Sequence, residues 1–139
     1  MKQEANSLRA GIEIQKPRAK PFLISNWYRH PNSPIEFFDK FKVLLAKIEA
    51  ENVESNILGD INYDMMAVTP ANETRQLIEL CELFQYTQLI EEPTCVTSST
   101  KSLIDLFLTN EPVKFATSCV SPIGCSDHSL ICLSQINMP

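Results

Sequence analysis

Two apolar-rich segments near the start, residues 8–14 and 22–28, read as strands. Between them Gln15-Lys16-Pro17-Arg18-Ala19-Lys20-Pro21 is polar and carries two prolines, so it reads as a hairpin loop. His30-Pro31-Asn32-Ser33-Pro34 cannot continue a strand and predicts a turn, with Ser33 as a helix N-cap and Pro34 at the first helical position. Phe37, Phe38, Phe41, Leu44, Leu45 and Ile48 then recur at helical spacing and predict an amphipathic helix over about 35–50. Residues 55–59 form a short apolar run suited to a buried strand, and 60–70 read as loop. Asn72 can cap a second helix whose apolar face holds Leu77, Ile78, Leu80, Cys81 and Phe84. A short strand at 88–90, a Thr/Ser-rich loop over 91–101 and strands at 103–108, 114–120 and 128–133 complete the reading. This alternation of strands with two helices predicts a mixed α/β, or α+β, fold in a single domain spanning residues 1–139.

Composition narrows this picture modestly. A chain of 139 residues with 44% hydrophobic and 21% charged residues is a globular domain with room for a real core. No window of about 18 apolar residues exists, and the polar start, Met1-Lys2-Gln3-Glu4, leads into no signal-peptide core. Five cysteines without a C-x-x-C pair exclude the usual zinc and thioredoxin patterns and read as free thiols of a reducing compartment. The net charge of −5 is unevenly spread: residues 1–47 hold nine Lys and Arg against four Asp and Glu, whereas 48–139 hold three against thirteen. An acidic chain is a poor non-specific DNA binder, although its basic part could still meet a phosphate backbone.

Candidate chemistry lies at the ends of the predicted strands. Gly59 breaks an apolar run and delivers Asp60 and Asn62; Ser126-Asp127-His128 stands near the end; Asp105 sits inside the apolar Ser102-Leu103-Ile104-Asp105-Leu106. Taken singly, Gly59-Asp60-Ile61-Asn62 can be an Asx turn, Ser126-Asp127-His128 a cap, and Tyr28 a core aromatic. Asp105 is the least ordinary, because a half-buried carboxylate is costly unless paired. Taken together, such groups bind a metal, a water or a phosphate, which is how a phosphodiester-cleaving site is assembled on strand ends.

In their order along the chain these marks resemble the endonuclease/exonuclease/phosphatase superfamily, with its DNase I-like fold, and within it the endonuclease domain of non-LTR retrotransposons. The resembling stretches are Phe22-Leu23-Ile24-Ser25-Asn26-Trp27-Tyr28-Arg29-His30-Pro31-Asn32-Ser33, Ile57-Leu58-Gly59-Asp60-Ile61-Asn62-Tyr63-Asp64, Glu92-Pro93-Thr94-Cys95-Val96-Thr97, Ser102-Leu103-Ile104-Asp105-Leu106-Phe107-Leu108-Thr109-Asn110 and Gly124-Cys125-Ser126-Asp127-His128. The resemblance implies a partial two-sheet sandwich with flanking helices and a Mg²⁺-dependent DNA endonuclease. It implies Asp60, Asn62, Asp105 and His128 as catalytic groups: Asp60 on the attacking water, Asn62 on a phosphate oxygen, and His128 oriented by Asp105. Asp127 would lie at or beside the metal, and Tyr28, Arg29, Asn32 and Thr97 would contact phosphate or DNA. The implied partner is DNA, with no membrane and no obligate protein partner, and the implied place is inside the cell, in the nucleus if active.

The departures shape the expectation. The family's N-terminal portion, with its Asn and its metal-binding Glu, has no counterpart in these residues, and Glu4 is no substitute. His30, Cys95 and Cys119 stand where proline, arginine and glycine are usual. The expectation is an N-terminally truncated, inactive copy whose apolar strand faces lack part of their cover. Another phosphoesterase of the same superfamily, or a remnant without catalysis, stays open as the alternative.

Overall fold

The computed structural model describes residues 7–136. Strands β1 (Ser7–Ile14) and β2 (Phe22–Arg29) form the expected antiparallel hairpin, with Ile14 opposite Phe22. Helix α1 (Glu36–Glu51) then carries the chain back, so that β3 (Glu54–Asp60) runs parallel to β2. Helix α2 (Asn72–Leu83) leads to the two-residue strand β4 (Thr87–Gln88). The Thr/Ser-rich segment holds a small ladder, β5 (Cys95–Val96) against β6 (Lys101–Ser102). Strand β7 (Asp105–Thr109) enters the main sheet antiparallel to β3, giving the order β1-β2-β3-β7-β4. A 3₁₀ turn, Pro112–Lys114, precedes β8 (Phe115–Ser121), which pairs with β9 (Leu130–Gln135) as a second, two-stranded sheet.

Strand alternation divides the main sheet into two faces. On one, Trp27, Ile57, Leu106 and Leu108 join the apolar stripes of both helices in a single core. The α1 stripe lands where its spacing places it: Phe37 and Phe41 meet the Trp27 indole edge-on, with centroids 5.9 and 5.4 Å away. The opposite face carries Ile24, Leu58 and Phe107 and is covered by β8–β9 through the Phe107–Phe115 contact at 5.1 Å. That cover is loose. A cavity of about 270 Å³ lies between the sheets, lined by Phe22, Ile24, Leu58, Phe107, Ile131 and Leu133. A polar staple holds one end shut: Glu54 takes Lys114 at 2.5 Å and Gln135 at 2.9 Å, while Lys16 donates to Gln135 at 2.6 Å.

Both expected N-caps differ. Helix α1 starts after Ile35 rather than Ser33, without a side-chain cap, because the Phe37 and Phe38 amides are taken by the Pro34 and Ile35 carbonyls in a preceding turn. Asn72 is the first helical residue of α2, and extended Ala71 stands at the N-cap. Among the described residues, no helix is long and apolar enough to cross a membrane.

Candidate active site

The site begins at a glycine. Gly59 has φ of 137°, and a Cβ there would lie 1.8 Å from the Trp27 carbonyl oxygen, so only glycine lets β2 approach β3 at this point. One residue later, Asp60 is paired with Asp105 across the β3–β7 ladder. Cross-strand partners project to the same face, so two carboxylates confront each other. They continue the rows of Leu58 and Phe107, on the face that β8–β9 covers. Burial, and then the charge of Asp105, raise the Asp60 pKa; the Asn62 amide and His128 pull the other way.

His128 answers this charge. Its Nδ1 lies 2.8 Å from Asp105 Oδ2 and its Nε2 lies 3.9 Å from Asp60 Oδ2. Burial draws the imidazole pKa down, but the hydrogen bond and charge of Asp105, with Asp60 and Asp127, outweigh it and raise the pKa above its usual 6.5. The side chain keeps 41% of its surface exposed, so the pair is open to solvent on one side. Its backbone is clamped: His128 bridges Cys95, Val96 donates to the Asp127 carbonyl at 2.9 Å, and Ser129 donates to the Thr94 carbonyl at 2.7 Å.

Thr94 links the two halves of the site, and it is absent from the sequence-derived site residues. It has 0% exposure. Its Oγ1 accepts from the amides of Ile104 and Asp105 at 3.2 and 3.0 Å, and its own amide donates to Ser102 at 2.9 Å. The same residue thus orients the strand that presents Asp105 and holds the segment that presents His128. Its only sequence signal was membership of Glu92-Pro93-Thr94, within a loop rich in other hydroxyls.

The other sequence-derived residues occupy varied positions. Asn62, in the left-handed region at φ 55°, lends its amide to Asp60 Oδ1 at 3.0 Å and donates its Nδ2 to the Arg29 carbonyl at 2.7 Å. It fixes Asp60, and one of its two side-chain N–H groups is already spent on backbone. Arg29 corrects the expectation of a phosphate contact. It is 4% exposed, donates to the Ile61 and Pro31 carbonyls at 3.3 Å, and stacks 3.8 Å over the Tyr63 ring. Strand parity sends it, like Trp27, toward the helices. Tyr28 points to the opposite face and is exposed, as is Asn32 in the following turn. The Thr97 hydroxyl closes its own turn, accepting from the Ser99 and Thr100 amides at 3.3 and 3.0 Å. Asp127 is exposed, stands outside the three-group cluster described next, and lies near enough for its charge to act on His128.

Asp60, Asp105 and His128 present one ligand atom each within 4.8 Å of one another. Two hard oxygens beside one nitrogen suit a divalent cation; burial chiefly raises the Asp60 pKa, and the facing charge of Asp105, which such a cation would relieve, adds to it. Among the described residues no Glu joins this cluster.

A family model described as endonuclease-reverse transcriptase matches residues 22–132. Among solved structures, the endonuclease domain of TRAS1, a telomere-specific non-LTR retrotransposon, is similar with a TM-score of 0.75 at 20% identity, over 96% of this chain and 64% of that one. The Xenopus laevis APE2 catalytic domain is similar with a TM-score of 0.64 at 17% identity, over 98% and 58%. An endonuclease/exonuclease/phosphatase family protein from Leptotrichia buccalis C-1013-b gives 0.65 at 16% identity, over 91% and 53%. The chain therefore spans less than two thirds of each of these proteins, and the likeness shows the DNase I-like fold. No curated protein matches it.

Proposed function

The chain belongs to the endonuclease-reverse transcriptase family, and on that premise we propose that Asp60, Asp105 and His128 are the hydrolytic centre of a Mg²⁺-dependent endonuclease acting on DNA, of the non-LTR retrotransposon type. The observation that carries this reading is the pair of opposed carboxylates at adjacent strand ends with one imidazole 2.8 and 3.9 Å from them. Hydrolysis of a phosphodiester needs a base for water, charge neutralisation at phosphorus and a proton for the leaving oxygen. Asp60, with its raised pKa, is a better proton acceptor than an ordinary carboxylate. Asp105 fixes the His128 ring through Nδ1, so that Nε2 faces the cluster, where the imidazolium would present its second proton to a phosphate oxygen. A divalent cation held by Asp60 and Asp105 would neutralise phosphate charge. The exposed Tyr28, on the face that holds Asp60, and Asn32 beyond it are the proposed contacts to the DNA backbone.

The reading includes a dependence on further sequence. The resemblance assigns the principal metal-binding Glu to a segment without a counterpart in these residues, and the cluster here holds no Glu among the described residues. The test joins residues 1–139 to a segment bearing the family's Asn and Glu motifs and follows supercoiled plasmid with Mg²⁺. Nicking is expected, with Asp60→Ala and His128→Ala each lowering it by about 10²–10⁴-fold. Preference for bis-p-nitrophenyl phosphate over p-nitrophenyl phosphate separates a diesterase from a monoesterase. A joined, folded protein that cleaves only the monoester would overturn the endonuclease assignment in favour of another phosphoesterase.

A further inference from the structure

Cys119 on β8 and Cys132 on β9 are direct partners in the antiparallel ladder, and both are exposed. Directly opposed residues of such a ladder have Cα atoms about 4.5–5.5 Å apart, inside the span that a disulfide bridges. Parity puts the two thiols on the same side of the ribbon. The adjacent pair, Val120 and Ile131, turns inward against the core, so Cys119 and Cys132 turn outward. The two thiols also touch: contact with the Cys132 side chain is the leading influence on the Cys119 thiol, whose pKa it raises.

We propose that Cys119 and Cys132 form a reversible dithiol–disulfide site that takes a small-molecule disulfide as its oxidant and, when closed, clasps the base of the loop that carries His128. The proposal is independent of the reaction assigned to the cluster. Chain connectivity supplies the consequence. Residues 120–131 between the two cysteines include Gly124-Cys125-Ser126-Asp127-His128, so one bond encloses the His128 segment in a ring. The exchange balances with oxidised glutathione. One protein thiolate attacks a glutathione sulfur, forming a mixed disulfide and expelling one glutathione thiolate. The second protein thiolate attacks the protein sulfur of that mixed bond, forms the Sγ–Sγ bond and expels the other glutathione. The protein loses two electrons and two protons, and one oxidised glutathione becomes two reduced ones. Cys125 lies in the enclosed loop and is also exposed, so it is the competitor the test must separate; Cys81 is buried.

The test equilibrates the purified chain in glutathione buffers from fully reduced to fully oxidised, then counts free thiols after denaturation. The count is expected to fall from five to three, without covalent dimer and with reversal by dithiothreitol. Proteolysis before Asp127 separates Cys132 from both Cys119 and Cys125, so mass spectrometry reads the linkage. The cross-link should survive Cys125→Ser and disappear in Cys119→Ser and in Cys132→Ser. Circular dichroism of these variants should match the parent, since the replaced side chains are exposed. In the oxidised form, amide exchange over residues 122–129 should slow by about tenfold. A count that stays at five in oxidised glutathione, a cross-link of equal yield in Cys119→Ser, or dimers alone would overturn the site. Unchanged exchange in the loop would overturn the clasp.

Discussion

Thr94 shows how much a buried hydroxyl can organise. Its Oγ1 serves the Ile104 and Asp105 amides at once, so Thr94→Val leaves two interior N–H groups without a partner. The expected loss is about 2–4 kcal/mol by urea unfolding, with Thr94→Ser recovering most of it; an unfolding midpoint unchanged in the valine variant would contradict the role. His128 makes a pH prediction. Its folded pKa is raised above the usual 6.5, so its contribution to stability is complete below 6.5 and is lost as pH rises through the folded value. Asp60, also raised, acts in the same sense at lower pH: the folded state binds its proton more tightly, so ionisation above 3.8 costs stability. The melting temperature should therefore fall with pH above 6.5 in the parent, and the fall should be smaller in His128→Gln. Equal slopes in the two proteins would show that the imidazole gains nothing from its carboxylates. That Asp105 needs a partner was legible in the sequence, because it is flanked by Leu103, Ile104, Leu106 and Phe107; that the partner is His128 was implied only by the family resemblance. Thr94 was not legible, since a threonine among threonines and serines carries no sign of burial. Arg29 misled for the same reason: its charge is visible in the sequence, but the Tyr63 ring beneath it is not.

At the scale of elements, hydrophobic periodicity carried the reading and local capping chemistry did not. Six apolar positions placed α1 within a residue or so of its ends; five of them are buried, four in the cluster around Trp27. Ser33 and Asn72 had the right side chains for caps, yet backbone turns reached the orphan amides of α1 first and α2 started one residue early. The short strands β5 and β6 escaped notice, because two residues are too few for alternation to show. The glycine before Asp60 was recognised as a break in a strand; its packing reason was not. With φ at 137° and the Trp27 carbonyl 1.8 Å from any added Cβ, Gly59→Ala must push β2 and β3 apart beside the site. A loss of about 3 kcal/mol or more is expected. Gly124→Ala, whose added Cβ meets nothing within 4 Å, should cost only the strain of its positive φ, about 1 kcal/mol. Equal effects of the two substitutions in thermal unfolding would show that φ alone, and not the approach of β2, sets the requirement at Gly59.

For the whole molecule, the main sheet is well covered on its helical face and thinly covered on the other. The two-stranded β8–β9 sheet leaves a cavity of about 270 Å³ over Ile24, Leu58 and Phe107. On the proposed reading the cluster of Asp60, Asp105 and His128 would offer Mg²⁺ two carboxylates and one imidazole, with waters and substrate phosphate filling the other places. A protonated His128 would compete with the cation for the charge of Asp60 and Asp105, and the Glu that the resemblance implies is absent from the cluster among the described residues. Residues 1–139 by themselves are therefore expected to show no appreciable Mg²⁺-dependent nicking of supercoiled plasmid. Mn²⁺ added to the isolated chain should broaden the His128 ring resonances only at millimolar concentration, and at micromolar concentration once a segment with the Glu motif is joined. Robust nicking by the isolated chain, abolished by Asp60→Ala, would mean that the opposed carboxylates hold the metal unaided. The added Glu would then be a refinement of the site, and the 139 residues would be a working nuclease in their own right.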